Sequence, residues 1–292
     1  MLITIENAQL RLTVDTKGAQ LMSLLKDGTE YVWQGDPQYW ANRAPNLFPL
    51  IGRLCNSTYQ YQGKTYEMGI HGFARHAEFA VAKQGADYVV LTLASSEETR
   101  TSYPFDFAFA IAYRLEGNAA HITYSVQNRS EQVMPFAVGG HPGFNVPFGA
   151  GEKFEDYYLE FTDACQPDRI LFGPSVLVSG QTARYVPEDG RRINLTHDLF
   201  DEDAIVLKNM CREITLCSAN SPKYLRVSYP QMPYLGLWHM PKTDAPYVCI
   251  EPWTSLPGRE EAMEDLSHKS DLIHLEPGKT YENTMTVTIG EN

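Results

Sequence analysis

Period-two alternation of apolar and polar residues restricts this chain more than any other feature. "LITIE", "FDFAFAIAYRLE", "AHITYSVQ" and "TYENTMTVTIG" carry it from the first residues to the last. Successive side chains of an extended strand point to opposite faces, so such runs bury one face and wet the other. "QLRLTV", "TYQYQ", "DYVVLTLA" and "KYLRVSY" repeat the pattern. Asp27-Gly28, Gln62-Gly63 and Gly117-Asn118 stand at the ends of such runs, where each suits a tight turn between antiparallel strands. Helical pattern is confined to two short stretches, "SSEETRTSY" and "GREEAMEDLSHK". No regular strand–helix alternation appears, which argues against a parallel α/β sheet. The expectation is an all-β chain: one large antiparallel β-sandwich domain over residues 1–292, undivided by any linker or fixed-period repeat.

At 292 residues, 43% apolar and 21% charged, the chain can bury a large core, and disorder is not the explanation for its sequence. A formal charge of −12 with no Lys/Arg run lacks the basic footprint that nucleic acid or an anionic membrane needs. A small or neutral partner is expected instead. "MLITIENAQLRLTV" places Glu6 and strand alternation where a signal core would lie, and no stretch approaches membrane-span length, so a cytoplasmic location is expected. Cys55, Cys165, Cys211, Cys217 and Cys249 are odd in number and contain no C-x-x-C pair. They read as reduced, mostly buried thiols rather than a disulfide framework or a zinc site. The sequons at Asn56, Asn128 and Asn194 read as chance matches without a secretory signal.

There is no G-x-S-x-G elbow, no phosphate-binding G-x-x-x-x-G-K-[ST] loop, no G-x-G-x-x-G after a strand and no H-E-x-x-H helix. What remains is a set of acid–base residues with no evident cofactor or metal: His71, His141, Asp203 and Glu251. "GGHPGFNVP", residues 139–147, holds His141 on constrained backbone, either to aim the imidazole or merely to cap a turn. Glu251 ends the apolar run "YVCIEPW". Desolvation there raises a carboxyl pKa and makes it a better proton acceptor, while the structural alternative is an arginine-paired strand end. His141 can supply the complementary proton, because an imidazole titrates near neutral pH.

"HGFAR" sets His71 and Arg75 around Gly72, as pocket residues or as a surface turn. Asp203 in "FDEDAIVL" begins an apolar strand, a position suited to accepting hydroxyl hydrogen bonds, whereas Asp201 and Glu202 read as solvated loop charges. Trp238 and Trp253 could offer an aromatic face to a sugar ring or simply fill the core. Arg43 and Arg53 flank the apolar segment of "NRAPNLFPLIGR", and one of them could reach the site while the other braces the sheet.

Taken in order, "NRAPNLFPLIGR", "HGFAR", "GGHPGFNVP", "DAIVL" and "CIEPWTSLPG" resemble the aldose 1-epimerase (galactose mutarotase) superfamily, and most closely its LacX-like branch. The resemblance spans nearly the whole chain. It implies a β-supersandwich, a cofactor-free site for a small-molecule sugar or sugar phosphate, and interconversion of α and β anomers. Under it Glu251 matches the general base, His141 the general acid, His71 a substrate-binding histidine and Asp203 an acceptor for sugar hydroxyls. Arg53 lies in a Gly-Arg pair like that of the mutarotases, Arg43 suits the hexose-6-phosphate epimerase branch, and Arg75 matches an arginine that contacts phosphate in that branch. Two departures leave the substrate open: Asn56 is followed by Ser57 where Asn-Arg is expected, and the corner reads His-Pro-Gly-Phe rather than His-x-Tyr-Phe. A non-catalytic carbohydrate-binding protein of the same fold, and a glycosidase pairing Glu251 with a second carboxylate, are the competing classes.

Overall fold

A computed structural model describes residues 1–291, and the eight alternating runs are strands in it. Asp27 and Gly28 have φ of 50° and 79°, and Gln62 and Gly63 have 49° and 73°. Paired positive values are what a two-residue type I′ hairpin requires, so these turn signals are met for the reason that made them signals.

Two large sheets dominate. The first has nine antiparallel strands whose centre is formed by Ser221–Ser228, Thr280–Glu291, Ala119–Asn128, Phe107–Glu116 and Tyr88–Ala94. Phe107, Phe109, Ile111, Tyr113 and Leu115 alternate inward from a single strand and are buried. The second runs, in spatial order, through Val178–Arg184, Asp168–Phe172, Ile205–Lys208, Tyr234–Trp238, Tyr247–Trp253, Gly139–Gly140 and Asn46–Leu47. Gly143–Asn145 also pairs with Tyr247–Trp253.

The sheets meet face to face. Phe48, which follows Asn46–Leu47, stacks on Phe109 at 4.5 Å between ring centroids and lies 5.1 Å from Phe107. Gly140 approaches so closely that an added Cβ would lie 2.9 Å from the Tyr124 hydroxyl and 3.1 Å from Met285. Burial of these apolar faces supplies the main driving force for the sandwich.

Tyr247–Trp253 is buried along its whole length. Val248 and Ile250 join the main core, whereas Tyr247 and Cys249 belong to a smaller cluster with Trp33, packed against Trp40, Trp238 and Met240. By strand periodicity Glu251 shares the face of Cys249, away from the inter-sheet core. That face carries the candidate site.

Two expectations need correction. "SSEETRTSY" does form a helix, Glu97–Ser102, capped by Ser96, which accepts a hydrogen bond from the Thr99 amide. "GREEAMEDLSHK" does not. It forms turns and the short strand Glu264–Asp265, which pairs in parallel with Thr58–Tyr61. Its charged residues are used locally rather than on a helix face: buried Glu264 binds Arg259 at 3.1 Å, and Lys269 binds Asp271 at 2.6 Å. The cysteines are all free, but only Cys217 and Cys249 are buried; Cys55, Cys165 and Cys211 are partly exposed. No helix among the described residues is long and apolar enough to cross a membrane.

Candidate active site

A cleft of about 370 Å³ opens on the outer side of the second sheet. His71, His141, Glu251, Asp203, Arg53, Arg75, Trp238 and Trp253 all line it. Six separate stretches of the sequence therefore converge at one place.

Glu251 and His141 form its floor. Glu251 is 1% exposed, and its Oε2 lies 3.3 Å from His141 Nε2. The chain reaches this geometry through glycine, though the requirement is space rather than an unusual φ. An added Cβ at Gly139 would lie 2.7 Å from Trp253 Cδ1, and one at Gly143 would lie 3.2 Å from both Trp33 and Trp40. Backbone bonds on both sides then fix the imidazole: the His141 amide donates to Pro45 O at 2.9 Å, and the Ile250 amide donates to Pro142 O at 3.1 Å. The Trp40 indole stacks on the ring at 4.8 Å between centroids, and Trp238 meets it edge-on at 5.7 Å.

Burial controls the protons. It pushes the Glu251 carboxyl well above the usual carboxylate range, reinforced by the negative charge of Asp203. It pushes His141 down to about 3, with the positive charge of Arg75 acting in the same direction. His141 Nδ1 has no hydrogen-bond partner, so a doubly protonated ring would bury an unsatisfied N–H. Burial thus favours the uncharged form of each member of the pair.

His71 has φ of 64° and precedes Gly72 at 72°. Gly72 is enforced by contact as well, since an added Cβ would lie 2.2 Å from Phe48 O. Asp203, also left-handed at 76°, accepts the Ala204 amide through Oδ1 at 2.8 Å. With Val176 at 58°, left-handed backbone at three non-glycine residues of one cleft is local strain of the kind that concentrates at functional sites.

Arg53 and Arg75 reach the cleft, and Arg75 Nε is buried without a hydrogen-bond partner. Arg43 does not reach it. Its Nη1 donates to Met22 O at 2.8 Å and to Gln34 Oε1 at 2.7 Å, so Arg43 braces the first strands of the chain. Sequence reasoning missed Trp40, which follows the turn at 37–39 with no alternation to mark its facing, and Met240, which follows Trp238 into the cleft wall. The only signal for Trp40 was its closeness to Arg43 in the chain.

Fold and cleft together define an all-β protein with a buried acid–base pair in a polar, aromatic-walled site. The chain belongs to the aldose 1-epimerase family, whose model matches residues 1–288. It is 34% identical to the chromosomal protein LacX of Lactococcus lactis subsp. lactis over 99% of both chains. Among solved structures it is similar to a galactose mutarotase related enzyme from Lactobacillus acidophilus, at 36% identity and a TM-score of 0.95 over 100% of this chain and 98% of that one. A galactose mutarotase-like protein from Lactobacillus casei ATCC 334 matches at 33% identity and a TM-score of 0.93, over 99% of this chain and all of the other.

Proposed function

We propose that this chain interconverts the α and β anomers of an aldose, free or phosphorylated, by acid–base opening of the sugar ring. The observation that carries the reading is the 3.3 Å approach of His141 Nε2 to Glu251 Oε2 on the floor of a cleft lined by hydrogen-bonding groups. Family membership and the galactose mutarotase-like neighbours support the same reaction class.

In this reading Glu251 accepts the proton of the anomeric hydroxyl and His141 donates one to the ring oxygen. The hemiacetal opens to an aldehyde, rotation about the first carbon–carbon bond exposes the other face, and reclosure reverses the two proton transfers. This requires one proton on the pair, and burial favours holding it on the carboxyl side. Its shift across 3.3 Å from carboxyl to imidazole creates the working carboxylate and imidazolium without uptake from solvent. A bound sugar favours that shift by donating its anomeric hydroxyl to the carboxylate.

His71 presents a donor to the sugar, because its Nδ1 accepts the Gly52 amide at 3.0 Å and the ring proton therefore sits on Nε2. Asp203 accepts hydroxyl hydrogen bonds, Arg53 and Arg75 donate to sugar or phosphate oxygens, and Trp253 lies against the ring. Each positioned acid or base contributes about 10²–10⁴-fold, and two acting together suffice for a ring opening that water performs slowly. Polarimetry of freshly dissolved α-galactose and α-glucose with the purified chain tests the proposal: accelerated approach to equilibrium is expected. Sugar binding without acceleration would favour the carbohydrate-binding alternative.

A further inference from the structure

Cys249 plays no part in the proton chemistry above, yet it stands beside the residues that do. Cys249 and Glu251 alternate onto the same face of Tyr247–Trp253, where Cys249 packs with Trp33 and Tyr247. One ligand atom from each of His141, Cys249 and Glu251 lies within 4.8 Å of the other two. Cys249 is a free, fully buried thiol, and Glu251 Oε2 is buried with no hydrogen-bond partner.

We infer that His141, Cys249 and Glu251 form a site for one thiophilic divalent cation, Zn²⁺ or Cd²⁺, whose binding shuts off the acid–base pair. Zinc binds nitrogen, oxygen and sulfur at about 2.0–2.3 Å, so tetrahedral donors sit roughly 3.3–3.7 Å apart. The histidine nitrogen and carboxylate oxygen are already at 3.3 Å, and the sulfur, within 4.8 Å of both, needs to close to about 3.5 Å, by at most about 1.3 Å. His141 and Glu251 line the cleft, from which water or a sugar hydroxyl would take the fourth position, while Cys249 is fully buried and does not line it. A thiolate and an imidazole select against Mg²⁺ and Ca²⁺, which take oxygen ligands. Binding releases the Cys249 thiol proton, and any proton held by the His141–Glu251 pair, to solvent. The cation acts as an inhibitor because it occupies the lone pairs that would move protons. That inhibitory half rests on the acid–base roles proposed above; the metal site itself does not.

The test is a CdCl₂ titration of the whole chain, reading the ultraviolet thiolate-to-metal charge-transfer band, with polarimetry alongside. Wild type is expected to bind one Cd²⁺ per chain with that band, unaffected by millimolar Mg²⁺, and to lose mutarotation in step with it until EDTA restores both. Cys249→Ser is expected to lose the one-to-one band and to weaken binding at least about 100-fold, as removal of a ligand should exceed the effect of removing an outer-shell partner. Cys165→Ser is expected to keep it. Should Cys249→Ser fail to fold, His141→Asn must show weakened binding by the same band. No stoichiometric band in folded wild type, or an unaltered band in Cys249→Ser, overturns the site. A band at a site whose metal-free protein does not accelerate mutarotation would keep the site and remove the proposed reaction.

Discussion

His71 and Gly52 are joined by two reciprocal hydrogen bonds: the His71 amide donates to Gly52 O at 2.8 Å, and the Gly52 amide donates to His71 Nδ1 at 3.0 Å. The imidazole therefore serves structure with one nitrogen and faces the cleft with the other. Burial, with His141, Arg75 and Arg53 nearby, holds its pKa well below the ordinary histidine value, so it stays a neutral donor.

His71→Asn separates these roles. Asparagine tolerates the left-handed backbone and its carbonyl can accept the Gly52 amide, but it lacks the far donor. The expected outcome is an unchanged thermal midpoint with KM raised about tenfold, the loss of one hydrogen bond to substrate. Thermal unfolding and initial-rate polarimetry check the two halves separately.

The pH dependence of stability is expected to differ between the two acid–base residues. The folded Glu251 pKa is raised above its unfolded value, so its contribution is complete below about 4.5 and is lost as pH rises toward the folded value. The folded His141 pKa is lowered from 6.5 to about 3, so its contribution is complete above 6.5 and is lost as pH falls toward 3. Glu251→Gln should therefore gain stability over wild type progressively as pH rises above about 4.5. His141→Asn should gain it from pH 6 down to 4. Thermal midpoints across that range, shifting by several degrees, check both signs.

Much of this was legible in the sequence, and the misses share a cause. Strands such as Phe107–Glu116 announce themselves because burial of one sheet face imposes period two. Glu251 is legible because an apolar strand running into a carboxylate implies desolvation. Arg43 and Arg53 bracket one segment symmetrically, and only the fold shows that Gln34 and Met22 take up Arg43. Trp40 acquires its role by stacking on a residue a hundred positions away. The stretch 258–269 looks helical because its charges are spaced like an amphipathic face, but its backbone pairs with Thr58–Tyr61 and Glu264 turns to Arg259 instead.

Gly139→Ala tests the close packing that places His141. The new Cβ would meet Trp253 Cδ1 at 2.7 Å and Pro252 O at 2.9 Å, so strand or indole must shift. The expected cost is about 1–3 kcal/mol of stability, read from the urea midpoint, together with a fall in kcat as the pair moves apart.

Arg75→Ala tests what the cleft recognises beyond the ring. If the buried, unpartnered Nε marks a phosphate subsite, kcat/KM should fall about tenfold or more for hexose 6-phosphates and much less for the free sugars. Equal losses on both would assign Arg75 to the sugar itself.

The most direct measurement is polarimetry of a fresh α-anomer with wild type, Glu251→Gln, His141→Asn and the double variant, each confirmed as folded. Each single change is expected to cost about 10²–10⁴-fold in kcat, and the double variant little more than the worse single one, because the two residues act as a unit. Wild-type rates in both single variants would contradict the account.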